Sequence, residues 1–75
     1  MRKFKVSLNF DSMSISGKEE DVKYVIDNWV EEEYINDSFQ ANGYRFIDIK
    51  APSEKLYSIL THITWECEND VVFVL

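Results

Sequence analysis

His62 and Cys67 are the only imidazole and the only thiol in the 75-residue chain. A Cys-His nucleophile needs the two in hydrogen-bond contact, with a third group orienting the base. Five positions apart, they share a face on neither a helix nor a strand. The plainer roles are therefore expected: Cys67 as a small buried hydrophobe, and His62 at a helix end, where its cationic form suits the dipole. One His among scattered carboxylates gives none of the usual zinc spacings, and a single Cys excludes a disulfide framework and any multi-thiolate metal site. The two glycines, Gly17 and Gly43, are too far apart for a phosphate-cradling loop, and no nucleophile elbow occurs. Carboxylates are plentiful, but acid–base catalysis needs a pair whose environments separate their pKa values. The sequence thus predicts a protein that is not an enzyme and uses no metal or other cofactor.

The carboxylates suggest recognition instead. The net charge is −6, and the segment 19–40 carries −7 of it, against +3 for residues 1–18, +1 for 41–60 and −3 for 61–75. On a helix, Glu20, Asp27 and Glu31 fall within about 40° of one another, with Tyr24 beside them, and Asp21, Asn28 and Glu32 form an adjoining row. Asp27 and Glu31 would stand about 6 Å apart along the axis, near the spacing of successive backbone phosphates. Solvated helix faces are ordinarily charged, but a helix built only for stability intersperses Lys at i+4 from Glu. Lys23 is the sole base of the segment. Tyr24 among the carboxylates is a residue type favoured as an interface anchor. Such a surface could imitate nucleic acid and occupy a basic groove, with Glu20, Tyr24, Asp27, Glu31, Asp21 and Glu32 as the partner-binding set. The opposite hypothesis, a sheet stacking single-stranded bases with Arg2, Lys3, Lys5, Tyr44 and Arg45, lacks an aromatic–basic RNP-like string and is opposed by the net charge.

The elements that must position these residues follow from periodicity. Phe4, Val6, Leu8 and Phe10 alternate with polar residues, predicting a strand over 3–10. Met13 and Ile15 continue the alternation over 12–16 until Gly17 breaks the pattern, as a short second strand paired back in a hairpin, favoured here, or as the end of one long bent strand. From Lys18 the period turns helical, through Val22, Val25, Ile26, Trp29 and Val30. Glu19, Glu20 and Asp21 sit in the first turn, and the helix is predicted to run to about residue 34. Asn36-Asp37-Ser38 should end it, leaving Phe39 as an isolated anchor before the Asn42-Gly43 turn. Tyr44 to Lys50 reads as a strand, and Pro52-Ser53-Glu54 opens a second helix over 53 to about 62. Residues 63–67 read as helix or strand, with the β-branched Thr61, Ile63 and Thr64 favouring a strand from about 63. Glu68-Asn69-Asp70 would then be a hairpin turn into a strand from Val71 to Leu75. That strand, apolar on both faces, is expected centrally in the sheet or at a dimer edge.

This order predicts one α+β domain over residues 1–75, a two-layer sandwich with a mainly antiparallel sheet of four to five strands and two helices packed on one face. Composition agrees: 45% hydrophobic and 15% aromatic residues are globular values. A chain this short leaves little volume for an enclosed substrate pocket. The longest apolar run, Val71 to Leu75, is far from the ~20 residues of a membrane span, and no apolar stretch of signal-peptide type follows the N-terminal basic residues. With one cysteine, a reducing cytoplasmic setting is expected and no membrane partner. Asn36-Asp37-Ser38 matches a glycosylation sequon by chance.

In size, acidity and want of catalytic residues, the chain resembles the small inhibitors encoded by bacteriophages and mobile elements, including anti-CRISPR and anti-restriction proteins, some of which mimic DNA. The likeness is one of composition. It implies a non-enzymatic inhibitor acting in the host cytoplasm, with a basic, nucleic-acid-handling protein as partner and no direct contact with nucleic acid. The alternative is a small structural or regulatory subunit, or a homodimer, assembling through a sheet edge.

Overall fold

The computed structural model describes residues 3–67 and 71–73. Strands β1 (Phe4–Leu8) and β2 (Ser12–Lys18) lead into helix α1 (Glu19–Trp29). A single 3-10 turn (Glu32–Tyr34) precedes β3 (Ile35–Ala41) and β4 (Tyr44–Lys50), and α2 (Ser53–Cys67) precedes β5 (Val71–Phe73). The sheet order is β3-β4-β2-β1-β5, antiparallel throughout except for the parallel pair β1 and β5. This is the expected α+β sandwich. Val6, Met13, Ile15 and Ile49 from the sheet meet Val22 and Val25 of α1 and Leu56, Ile59 and Ile63 of α2 in one buried cluster. Alternation therefore puts Lys5, Ser14, Ser16 and Phe46 on the opposite face of the sheet, uncovered among the described residues, as antiparallel sheets permit.

The structure departs from expectation in several places. Gly17 does not break β2, because it is paired with Phe4 on one side and Arg45 on the other. A Cβ there would lie 2.7 Å from the Lys3 carbonyl oxygen, so the two strands approach closely because this residue has no side chain. Helix α1 stops at Trp29 rather than near 34. Val30 and Glu31 are extended, and the run Glu31-Glu32-Glu33 lies where the negative end of the helix dipole disfavours carboxylates.

Residues 35–41 form a strand instead of a helix stop and a loop. They lie at the sheet edge, where polar side chains are tolerated, with a bulge between Ile35 and Asp37. The Asn36 amide donates to Asp48 Oδ2 at 3.2 Å, and the Ser38 amide N–H donates to Asp37 Oδ1 at 2.9 Å. Phe39 is thus no isolated anchor: it stands opposite Phe46. Asn42 and Gly43 have φ of 53° and 79°, the two left-handed residues of a type I′ hairpin turn.

Residues 63–67 are helical. Ile63 extends the apolar stripe of Leu56 and Ile59 into the core, and this packing overrides β propensity. The hydroxyls of Thr61 and Thr64 donate to the carbonyls of Tyr57 and Leu60, both at 2.8 Å, which accommodates them in the helix. The expected hairpin turn at 68–70 lies outside the described residues. Of the two places expected for β5, it takes an edge of the sheet, reached by a crossover, and not the centre, because β2 already lies there with β1 and β4 on its two sides.

Candidate functional site

Helix α1 starts without a side-chain cap on Lys18; its first turn instead carries Glu19, Glu20 and Asp21 at the positive end of the dipole. Glu19 is not available to a partner in the same way as its neighbours. Its Oε2 accepts from Arg45 Nε at 2.8 Å in a part-buried pair. Glu20 and Asp27 are exposed, while Asp21 and Tyr24 are half-buried. Seven residues apart, Glu20 and Asp27 lie within about 20° of one another around the axis, with Tyr24 about 40° further round. The Tyr24 ring meets Trp29 edge-on at 5.4 Å, and its backbone carbonyl accepts from the Asn28 amide at 2.8 Å.

The early end of α1 divides the predicted set. Glu31 and Glu32 lie beyond the helix, so neither row of acidic residues continues as the sequence spacing implied. Glu31 turns to α2 and accepts from Lys55 Nζ at 2.7 Å, while the same ammonium lies 5.7 Å from the centre of the Tyr34 ring. The hydrogen bond from Lys55 holds the Glu31 carboxyl below its ordinary pKa, and the same bond raises that of Lys55. Glu32 is exposed in the 3-10 turn. The structure therefore gathers Glu20, Asp21, Tyr24 and Asp27 on one helix and sets Glu31 and Glu32 on the segment that follows it.

His62 is an interior residue of α2, not a helix end, because the helix runs on to Cys67. Its ring stacks on Trp29 at 5.2 Å with 8° between the planes, and Trp65 stands edge-on to it at 6.5 Å. On one helix, positions 62 and 67 lie about 140° apart around the axis, which does not bring them together. Among the described residues, no group of three or more His, Cys, Asp or Glu side chains is arranged to hold a metal ion, and no helix is long and apolar enough to cross a membrane. The basic set proposed for single-stranded nucleic acid is also divided. Lys5 and Tyr44 are exposed, whereas Arg45 is engaged with Glu19, and Arg2 lies outside the described residues.

The uncovered sheet face was not singled out from sequence. Phe39 and Phe46 stand there with ring centres 6.4 Å apart, both more than half exposed. Beside them Ser14 and Ser16 floor a shallow trough of about 320 Å³, bordered by Lys5 and Asp48. The signals were the Ser12, Ser14, Ser16 alternation and an Asn-Gly turn, which calls for a strand on each side. Compared with protein families, curated proteins and solved structures, the chain matches none.

Proposed function

We propose that the protein is a non-enzymatic inhibitor that binds a basic, nucleic-acid-handling protein through the acidic layer of α1 and the segment after it. It would be of the kind that phages and mobile elements encode, at work in the host cytoplasm. One observation supports this reading above the others. Arg45 and Lys55 are committed to Glu19 and Glu31, while Glu20, Asp27 and Glu32 are exposed without a basic partner among the described residues. The unneutralised carboxylates favour a cationic surface by steering it at long range and matching its charges on contact. Tyr24 adds a ring at the edge of this layer, already braced against Trp29.

The test is capture of binding proteins from nuclease-treated lysate at low and high salt. The expected result is a nucleic-acid-processing enzyme that salt releases and that loses its DNA or RNA substrate when this protein is added. Recovery of only salt-resistant partners unrelated to nucleic acid would reject the proposal. A second reading, assembly through a sheet edge, is favoured by β3, a seven-residue strand paired on one side only among the described residues. Edge pairing predicts binding indifferent to the charges of α1.

A further inference from the structure

The sheet face opposite the helices is ordered in rows across the strands. Register places Phe39, Phe46, Ser16 and Lys5 in one row and Asp37, Asp48, Ser14 and Ser7 in the next. Phe39 and Phe46, 62% and 53% exposed, rise as a ridge on β3 and β4. The short serines of β2 leave the trough beside that ridge, with Lys5 beyond it. Ridge and trough therefore lie side by side on one surface, and so do an acidic and a basic border.

Such a surface is complementary to itself. Turning a second copy through 180° about an axis parallel to β2, midway between two facing sheets, keeps each row opposite its equivalent and reverses its direction. The Phe39–Phe46 ridge of each copy then enters the serine trough of the other. Lys5 of each comes over the opposite ring pair and beside the opposite Asp48. Large side chains set against small ones let two sheets pack face to face, and ammonium over an aromatic ring is attractive. Among the described residues, neither Lys5 nor Asp48 has an ion-pair partner within its own chain. We infer that this face is the interface of a homodimer, two copies joined sheet to sheet with both helix layers outward.

The dimensions bound the contact area. The molecule measures 29 × 25 × 24 Å. A face of it covers at most about 700 Å² per copy, so about 1,400 Å² in total, in the lower half of the range for specific interfaces. With only two aromatic anchors per copy the dimer is expected to be reversible, and it leaves the acidic layer of α1 exposed on both outer surfaces. It does not depend on the proposed inhibitory role.

Sedimentation equilibrium of the full chain, over roughly 1 µM to 1 mM, reads this association in the range suited to an interface of that size. A reversible monomer–dimer equilibrium is expected. Phe46→Ser removes the ridge and Ser14→Phe fills the trough; each should weaken association by about tenfold or more. Both positions are exposed, and an unchanged far-UV spectrum and melting curve would show that the fold is intact. Lys5→Asp and Asp48→Lys provide the sharper arm. Each alone sets like charges against each other at both symmetric contacts and should be monomeric, while an equimolar mixture restores both contacts and should dimerise. Monomer throughout the range would overturn the inference. So would a dimer indifferent to Phe46→Ser and Ser14→Phe, or a charge-swapped mixture that remains monomeric.

Discussion

Replacing Gly17 by Ala sets two effects of opposite sign against each other. Alanine restricts the unfolded chain and would by that alone stabilise the fold by about 0.4–1 kcal/mol. In the folded protein its Cβ would lie 2.7 Å from the Lys3 carbonyl oxygen, 3.4 Å from Phe4 Cδ1 and 3.6 Å from Val22 Cγ2. The nearest of these is backbone and cannot rotate away, so β1 and β2 must separate where Phe4 pairs with Gly17. Phe4 is buried, so that movement is felt in the core. Overpacking costs about 1–3 kcal/mol, and a clash with backbone falls in the upper part of that range, about 2–3 kcal/mol, which outweighs the entropic gain. For a chain of this size, a net loss of about 1–2 kcal/mol lowers the melting temperature by roughly 4–16 °C. Thermal and urea unfolding followed by circular dichroism measure it. Gly43→Ala is the companion variant: among the described residues nothing lies within 4 Å of its missing side chain, and its cost, about 1 kcal/mol, comes from the positive φ of the hairpin turn. A Gly17→Ala protein as stable as the parent, or more stable, would refute the close-approach reasoning.

Two further outcomes follow from the same packing. Ile63→Ala should cost about 2–5 kcal/mol in urea unfolding, because the residue closes the α2 stripe in the core, whereas Thr64→Ala on the exposed side of the helix should cost far less. The Glu31–Lys55 pair gives a pH signature with two limbs. Glu31 titrates low in the folded protein, so its contribution is complete above the unfolded carboxylate pKa and is lost as pH falls through the folded value. Lys55 titrates high, so its contribution is complete below the unfolded ammonium pKa and is lost as pH rises through the folded value. The stability difference between the parent and Lys55→Met, measured by urea unfolding across pH, should be a plateau that narrows at both extremes; a difference that does not vary with pH would contradict the pairing.

What the sequence made legible was the part of the fold where one residue pattern meets one buried face. Phe4, Val6, Met13 and Ile15 alternate because only the helix side of the sheet is covered, and Val22 and Val25 repeat helically because α1 lies on that side. Ends and edges were not legible, because other forces decide them. Val30 keeps the helical spacing of its neighbours, yet the helix ends before it. Asn36, Asp37 and Ser38 have turn chemistry, yet the register of β4 holds them in an edge strand. Ile63 fits a strand by propensity and a helix by its contacts, and the contacts prevail. The acidic site shares this history. Glu20, Asp21, Tyr24 and Asp27 keep their predicted places because they lie within α1, while Glu31 and Glu32 lose theirs because they lie beyond its end.

If the exposed carboxylates of α1 serve recognition, reversing their charge should remove it. Glu20 and Asp27 are exposed, so Glu20→Lys/Asp27→Lys should leave the fold intact: a first-turn carboxylate lost from the positive end of the helix dipole costs about 0.3–1 kcal/mol, offset in part by relieved repulsion among like charges, so the melting temperature should fall by no more than a few degrees. The measurement is competition: parent and double variant are titrated against a nucleic-acid-processing enzyme captured by the parent, with displacement of its labelled DNA or RNA as the readout. The parent should displace the nucleic acid with an affinity that falls as salt rises, and the double variant should be weaker by about a hundredfold. Equal displacement by the two proteins, with both folded, would contradict that role.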